Sequence, residues 1–128
     1  MNAKILLIED NEQNRYLATF LLEGNGFTVA HAFDGPAGLE RARRERFDLI
    51  LLDIQLPGMD GYAVARALRS DRAFDGVPIV AVTSYAMAGD RERILAEGCD
   101  GYIEKPIDPE TFAASIAGHL NARRGSGA

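Results

Sequence analysis

Residues 4–8, Lys4-Ile5-Leu6-Leu7-Ile8, form a short apolar run that stops abruptly at Glu9-Asp10. Further runs follow at 27–30, 48–54, 78–83 and 101–104. None alternates strictly between apolar and polar positions. Such runs suit parallel strands covered on both faces. Helical spacing fills the gaps. Tyr16, Leu17, Phe20 and Leu21 fall on one helical face, with Asn11 as a cap before them and Gly24 and Gly26 as stops. A second helix is predicted over 36–46 with Leu39 and Ala42 inward, and a third over about 60–70 around Val64 and Leu68. A fourth carries Ile94 and Leu95 and ends near Gly98. In the fifth, Asp108 caps, Pro109 fits the first turn, and Phe112, Ile116 and Leu120 recur every four residues. Five strands alternating with five helices predict an α/β fold of three layers, αβα, with a parallel sheet and right-handed crossovers. There is no internal repeat and no linker. The expected division is one domain over 1–122 and a mobile tail over 123–128, which is basic and then Gly/Ser-rich.

Composition narrows the class. For 128 residues, the scaling of protein surface gives about 6,700 Å² folded against about 20,000 Å² unfolded, so one core forms without staples. No apolar run is long enough to span a bilayer, and the N-terminus lacks a basic stretch followed by a long apolar one. The single cysteine excludes an internal disulfide and suits a reducing, cytoplasmic setting. A net charge of −5 argues against general binding to nucleic-acid phosphates.

In a doubly wound parallel sheet, ligands bind beyond the carboxyl ends of the strands. Strand 1 ends in Glu9-Asp10 and strand 3 at Asp53. If these strands are neighbours, their backbones lie about 4.8 Å apart and three carboxylates converge. Strand 5 ends in Lys105, and strand 4 ends in the hydroxyls of Thr83 and Ser84. Three carboxylates against one lysine leave a deficit that a hard divalent cation would balance, and oxygen ligands favour Mg2+, with Mn2+ possible, over zinc. A metal, a lysine and a hydroxyl suit a phosphoryl group. A carboxylate can attack phosphorus to give an acyl phosphate. Asp53 is the best nucleophile because it stands alone on a central strand, while Glu9 and Asp10 are adjacent and better placed as metal ligands. One aspartate after a strand is ordinarily a cap or turn residue. Acidic groups at three rim positions together with Thr-Ser and Lys-Pro are hard to explain by capping.

Four segments carry a family resemblance: Ile8-Glu9-Asp10-Asn11; Leu51 to Gly61, which includes Asp53-Ile54-Gln55-Leu56-Pro57; Ala81-Val82-Thr83-Ser84; and Gly101-Tyr102-Ile103-Glu104-Lys105-Pro106. Along essentially its whole length the chain resembles a response-regulator receiver domain of two-component signalling. Glu9-Asp10-Asn11-Glu12 and Ala86-Met87-Ala88-Gly89-Asp90 resemble the single-domain, DivK-like or chemotaxis-regulator-like type, a flavour shared by receivers of hybrid histidine kinases. The resemblance implies a flavodoxin-like sheet in the order 2-1-3-4-5. It implies Asp53 as phosphoacceptor, and Mg2+ held by Asp10 and Asp53, with Glu9 acting through water and Gln55 lending its backbone carbonyl. Lys105 would contact the phosphoryl group. Thr83 would hydrogen-bond it and shift, with Tyr102 changing rotamer in concert. Lys105-Pro106 would be cis. Gln55, Ser84 and Tyr85 would tune the lifetime of the phosphate. The implied partners are a sensor histidine kinase or histidine phosphotransfer protein and a downstream protein target, with no direct nucleic-acid or membrane binding. The protein would be a cytoplasmic, stand-alone monomer, or a weak dimer through the helix 4–strand 5–helix 5 face. It would catalyse only its own phosphorylation and dephosphorylation.

The remaining candidates read more plainly. Arg41, Arg43, Arg44 and Arg46 form a solvated helix face. His31 and His119 have no metal-ligand spacing, and Cys99 reads as a small buried side chain. Tyr85 and Met87 are candidates for a partner-facing surface. Three other functions compete. A flavin binder needs a Ser/Thr/Gly-rich loop where this chain has Glu9-Asp10-Asn11-Glu12. An aspartate-based phosphohydrolase places its nucleophile after strand 1. A receiver-shaped module that binds protein without phosphate would not need the full acidic set.

Overall fold

A computed structural model describes residues 3–56, 58–84 and 88–126. The elements are β1 (Lys4–Ile8), α1 (Glu12–Glu23), β2 (Thr28–Ala32), α2 (Gly35–Arg44), β3 (Leu49–Asp53), α3 (Gly61–Arg69), β4 (Ile79–Thr83), α4 (Ala88–Ala96), β5 (Gly101–Glu104) and α5 (Phe112–Ser126). The strands pair in the order β2-β1-β3-β4-β5, all parallel. Ile8 lies opposite Leu52, Asp53 opposite Val82, and Thr83 opposite Glu104. The carboxyl ends of all five strands therefore form one rim.

The apolar runs are non-alternating because both faces of the sheet are buried. Leu6, Ile8, Ile50, Leu52, Ile79 and Ala81 pack against Leu39 of α2, Val64 and Leu68 of α3, and Ile94 of α4. The intervening residues Ile5, Leu7, Leu49, Leu51, Val80 and Val82 pack on the other face against Ala18 and Leu22 of α1 and Phe112, Ile116 and Leu120 of α5. Burying each large aliphatic side chain contributes roughly 1.5–3 kcal/mol. Capping fixes where the helices begin: Asn11, Asp34 and Asp60 each accept a backbone N–H three residues on, at 2.9, 2.8 and 2.8 Å.

Several local expectations change. The buried stripe of α1 is Ala18 and Leu22, whereas Tyr16 and Phe20 are exposed and stack on each other with ring centroids 6.3 Å apart. The two pairs lie two residues apart, about 200° of rotation, and both satisfy helical spacing. Leu95 is exposed, and among the described side chains of α4 it is Ile94 that is fully buried. α5 begins at Phe112. Asp108 precedes it in a turn, accepting the Glu110 N–H at 2.9 Å. The backbone of α5 runs on to Ser126, past the boundary expected at residue 122. A short 3-10 turn at Arg72–Phe74, capped by Asp71, had no periodic signal.

At the end of the sheet away from the rim, Arg69 ties the α3–β4 and α4–β5 connections together. Its guanidinium donates to the carbonyls of Gly98 (2.8 Å), Phe74 (2.5 Å) and Val77 (2.8 Å) and to the Asp100 carboxylate (2.6 Å). Asp100 in turn accepts the Ile79 N–H at 2.8 Å.

Candidate functional site: an acidic cleft at the strand carboxyl ends

β1 delivers Glu9 and Asp10 to the rim, and β3 delivers Asp53. Glu9 is fixed by its N–H, which donates to the Ala32 carbonyl of β2 at 3.0 Å. Its carboxylate accepts the Asn11 N–H at 3.2 Å. Asp53 accepts the Gln55 N–H at 2.9 Å, which turns the chain sharply out of β3. One carboxylate oxygen from each of Glu9, Asp10 and Asp53 lies within 4.8 Å of the other two. Glu9 and Asp53 are buried and Asp10 is exposed, so the cluster opens to solvent on one side. The Lys105 ammonium sits 3.2 Å from Asp53 and 3.3 Å from Glu9. The Lys105 N–H donates to the Thr83 carbonyl at 2.8 Å, which aligns the β5 exit with the end of β4. The Lys105–Pro106 peptide is cis.

These groups press on one another. Burial pushes the Glu9 carboxyl up to about 7, helped by its hydrogen bond to Asp53 and that group's negative charge. The Asn11 N–H and Lys105 pull the other way without cancelling it. Like charges held this close, with one ammonium among them, leave negative charge uncompensated. An all-oxygen donor set with one open side fits a hard divalent cation. Glu9, Asp10 and Asp53 are the residues placed to hold it.

The other predicted residues distribute around this cleft. Thr83 is buried at the end of β4, one residue beyond the pairing partner of Asp53. Ser84 and the Gln55 side chain are exposed beside it. Tyr102 lies half-buried on β5 opposite Ala81, with the Arg91 guanidinium 5.7 Å from its ring centroid. Tyr85, Ala86 and Met87 lie outside the described residues, as does Pro57. His31 pairs with Thr19 at 2.8 Å, away from the cluster, and Cys99 is buried.

Two residues at the cleft carried no assigned role in the sequence. Gly61 begins α3 so close to β3 that a Cβ there would lie 2.5 Å from both the Asp53 carbonyl oxygen and the Ile54 Cα. Arg15, on the first turn of α1, bends back to the β1–α1 loop. A cation near a helix N-terminus opposes the helix dipole, and that mismatch was the available signal.

A doubly wound parallel sheet with clustered acids and an opposed lysine at its rim defines a receiver-type signalling module. The chain belongs to the response regulator receiver domain family, whose model matches residues 5–117. It is 41% identical over 120 residues to the polar-differentiation response regulator DivK of Brucella anthropi, covering 94% of this chain and 98% of that protein. The DivK of Brucella ovis is 40% identical over the same coverage. Among solved structures, the chemotaxis protein CheY4 of Vibrio cholerae superposes with a TM-score of 0.88 at 28% identity, covering 93% of this chain and 99% of that one. The receiver domain of a sensor histidine kinase from Pseudomonas aeruginosa superposes with a TM-score of 0.86 at 34% identity, covering 94% and 99%. That structure has a magnesium ion coordinated in its active-site cleft. Among the described residues of the present protein, no helix is long and apolar enough to cross a membrane.

Proposed function

We propose that Asp53 accepts a phosphoryl group from a phosphohistidine of a sensor histidine kinase or histidine phosphotransfer protein, and that the phosphorylated protein signals in the cytoplasm by binding a downstream protein. The observation that carries this reading is the buried Asp53 carboxylate, clustered with Glu9 and Asp10 and faced by Lys105 at 3.2 Å. A bound Mg2+ supplies charge neutralisation for the carboxylates and the phosphoryl oxygens. A carboxylate oxygen of Asp53 bonds to phosphorus as the bond from phosphorus to the donor imidazole nitrogen breaks. The imidazole leaves with that electron pair and is protonated. Lys105 exchanges its carboxylate contacts for a phosphoryl oxygen, and Thr83 donates its hydroxyl to another. Glu9 and Asp10 orient the cation, and the Gln55 N–H holds Asp53 in line. Water attacking the same phosphorus returns the free carboxylate.

The test is intact-mass spectrometry after incubation with acetyl phosphate, with and without Mg2+. The expected result is a base-labile phosphoryl adduct that needs Mg2+ and vanishes in Asp53→Asn. An adduct retained in Asp53→Asn would move the nucleophile elsewhere, to Asp10 if Asp10→Asn removes it. No adduct on folded wild-type protein would leave a module that binds its partners without phosphate.

A further inference from the structure

Arg15 is the cationic group that holds the acidic loop from behind. One of its guanidinium nitrogens donates to both the Glu9 carbonyl, at 2.9 Å, and the Asp10 carbonyl, at 2.8 Å. These are consecutive peptides, and their side chains are two of the three carboxylates of the cluster. The guanidinium carbon lies 4.1 Å from the ring centroid of Phe33, the first residue after β2. Phe33 is 58% exposed, and the Arg15 guanidinium lies over one face of its ring, a cation–π contact. Two strands and a helix therefore meet at one point: the exit of β1 is clamped by α1, and the clamp is seated on the exit of β2.

Arg15 makes these contacts against two local preferences. It sits four residues after the Asn11 cap, where the helix dipole disfavours a cation. It also spends a guanidinium on two backbone carbonyls that water could satisfy. What the contacts do is fix the two peptide planes that aim Glu9 and Asp10. Without them, mutual repulsion would splay the loop toward solvent on the Asp10 side.

We infer that Arg15 is a positioning residue for the cation of the acidic cleft: it locks the Glu9 and Asp10 peptides, with Phe33 as its seat, so that the carboxylates converge before metal arrives. The inference rests on the cleft being a Mg2+ site, as proposed above. Its sign separates it from simple electrostatics. Removing a positive charge near a cation site tightens cation binding if charge alone matters. Removing the clamp weakens binding, because the ligands must be ordered as metal binds.

The experiment is calorimetric titration of the full chain with Mg2+, for wild type, Arg15→Met, Arg15→Lys, Phe33→Leu and Asp10→Asn. Mg2+ affinity is expected to fall about tenfold in Arg15→Met, the lower end for residues that orient metal ligands. Arg15→Lys keeps the charge but loses the planar fork on Phe33, so it should fall between the two. With acetyl phosphate, the Arg15→Met rate should regain the wild-type value at saturating Mg2+, with only the half-saturating concentration raised. A general folding defect would lower the plateau as well. Equal or tighter Mg2+ binding in Arg15→Met overturns the inference while the metal site stands. If Arg15→Met does not fold, unchanged affinity in Phe33→Leu overturns it. Wild-type protein that binds no Mg2+ overturns the metal reading of the cleft, and the inference with it. Asp10→Asn should abolish binding if the cleft is the site being measured.

Discussion

Gly61 packs directly on the backbone of Asp53. A Cβ at Gly61 would stand 2.5 Å from the Asp53 carbonyl oxygen and 2.5 Å from the Ile54 Cα. The Gly61 N–H also donates to the Ile54 carbonyl at 3.0 Å. The start of α3 and the end of β3 are thus one rigid unit, and neither neighbour can retreat as a flexible side chain would. Gly61→Ala should cost about 1–3 kcal/mol in urea unfolding, the usual range for overpacking. It should also slow phosphorylation by acetyl phosphate by more than about tenfold, because misplacement of a reacting group by an ångström has that scale of effect. A variant as stable and as fast as wild type would show that the loop yields freely.

The raised Glu9 carboxyl makes stability depend on pH with a definite sign. Its folded value of about 7 lies above the ordinary 4.5 of the unfolded chain. The proton therefore favours the folded state. That contribution is full below pH 4.5 and is lost as pH rises through about 7. In EDTA, the melting temperature should fall between about pH 5 and pH 8, beyond any change in Glu9→Gln. Mg2+ binds the ionised form, so its stabilising increment should be larger at pH 8 than at pH 6. An increment independent of pH would place the cation elsewhere.

Thr83 is buried at the rim and linked through its carbonyl to Lys105. A hydroxyl hydrogen bond made only to the phosphorylated state is worth about 1.5–3 kcal/mol, roughly ten- to a hundredfold in population. Thr83→Ala should therefore still form the aspartyl adduct while losing the accompanying change at Tyr102. Amide chemical shifts of β5 before and after phosphorylation provide the readout. Identical shift changes in wild type and Thr83→Ala would remove Thr83 from the switch.

Arg69 and Asp100 are 17% and 21% exposed as side chains, so their contact is largely withdrawn from solvent. Arg69→Met would leave the carboxylate and the Gly98, Phe74 and Val77 carbonyls without the guanidinium. The expected loss is about 3–5 kcal/mol in urea unfolding. Arg69→Lys should recover little of it, since an ammonium cannot reproduce the fork.

Burial pushes the Cys99 thiol up to about 12. Cys99 should react with a thiol reagent at least ~100-fold more slowly in the native protein than in urea, because the thiolate is the reactive form. Fast native labelling would reveal opening at the start of β5.

How much of this was legible in the sequence varies with the physics of each element. β1 and β5 were read at their true ends, because their apolar runs have abrupt polar limits. The convergence of Glu9, Asp10 and Asp53 followed from strand ends sharing one rim. The buried face of α1 was not legible, because Leu17 and Leu21 belong to both candidate stripes and only the sheet decides between 16/20 and 18/22. The sequence places the start of α5 too early, because Asp108-Pro109 makes a good helix start and an equally good turn. The closeness of Gly61 to Asp53 and the reach of Arg15 to two carbonyls are tertiary facts, and no local pattern encodes them.

Because every strand runs the same way, the molecule has two poles. Carboxylates, lysine and hydroxyls gather at one, and the Arg69 network knits the other. A five-residue strand such as β3 separates them by about 13 Å from end to end. Substitutions that far apart with no shared partner change stability additively. Robustness and chemistry are therefore adjustable separately in this scaffold. Losses incurred by altering the acidic pole can be offset at the knitted pole without retuning the reaction.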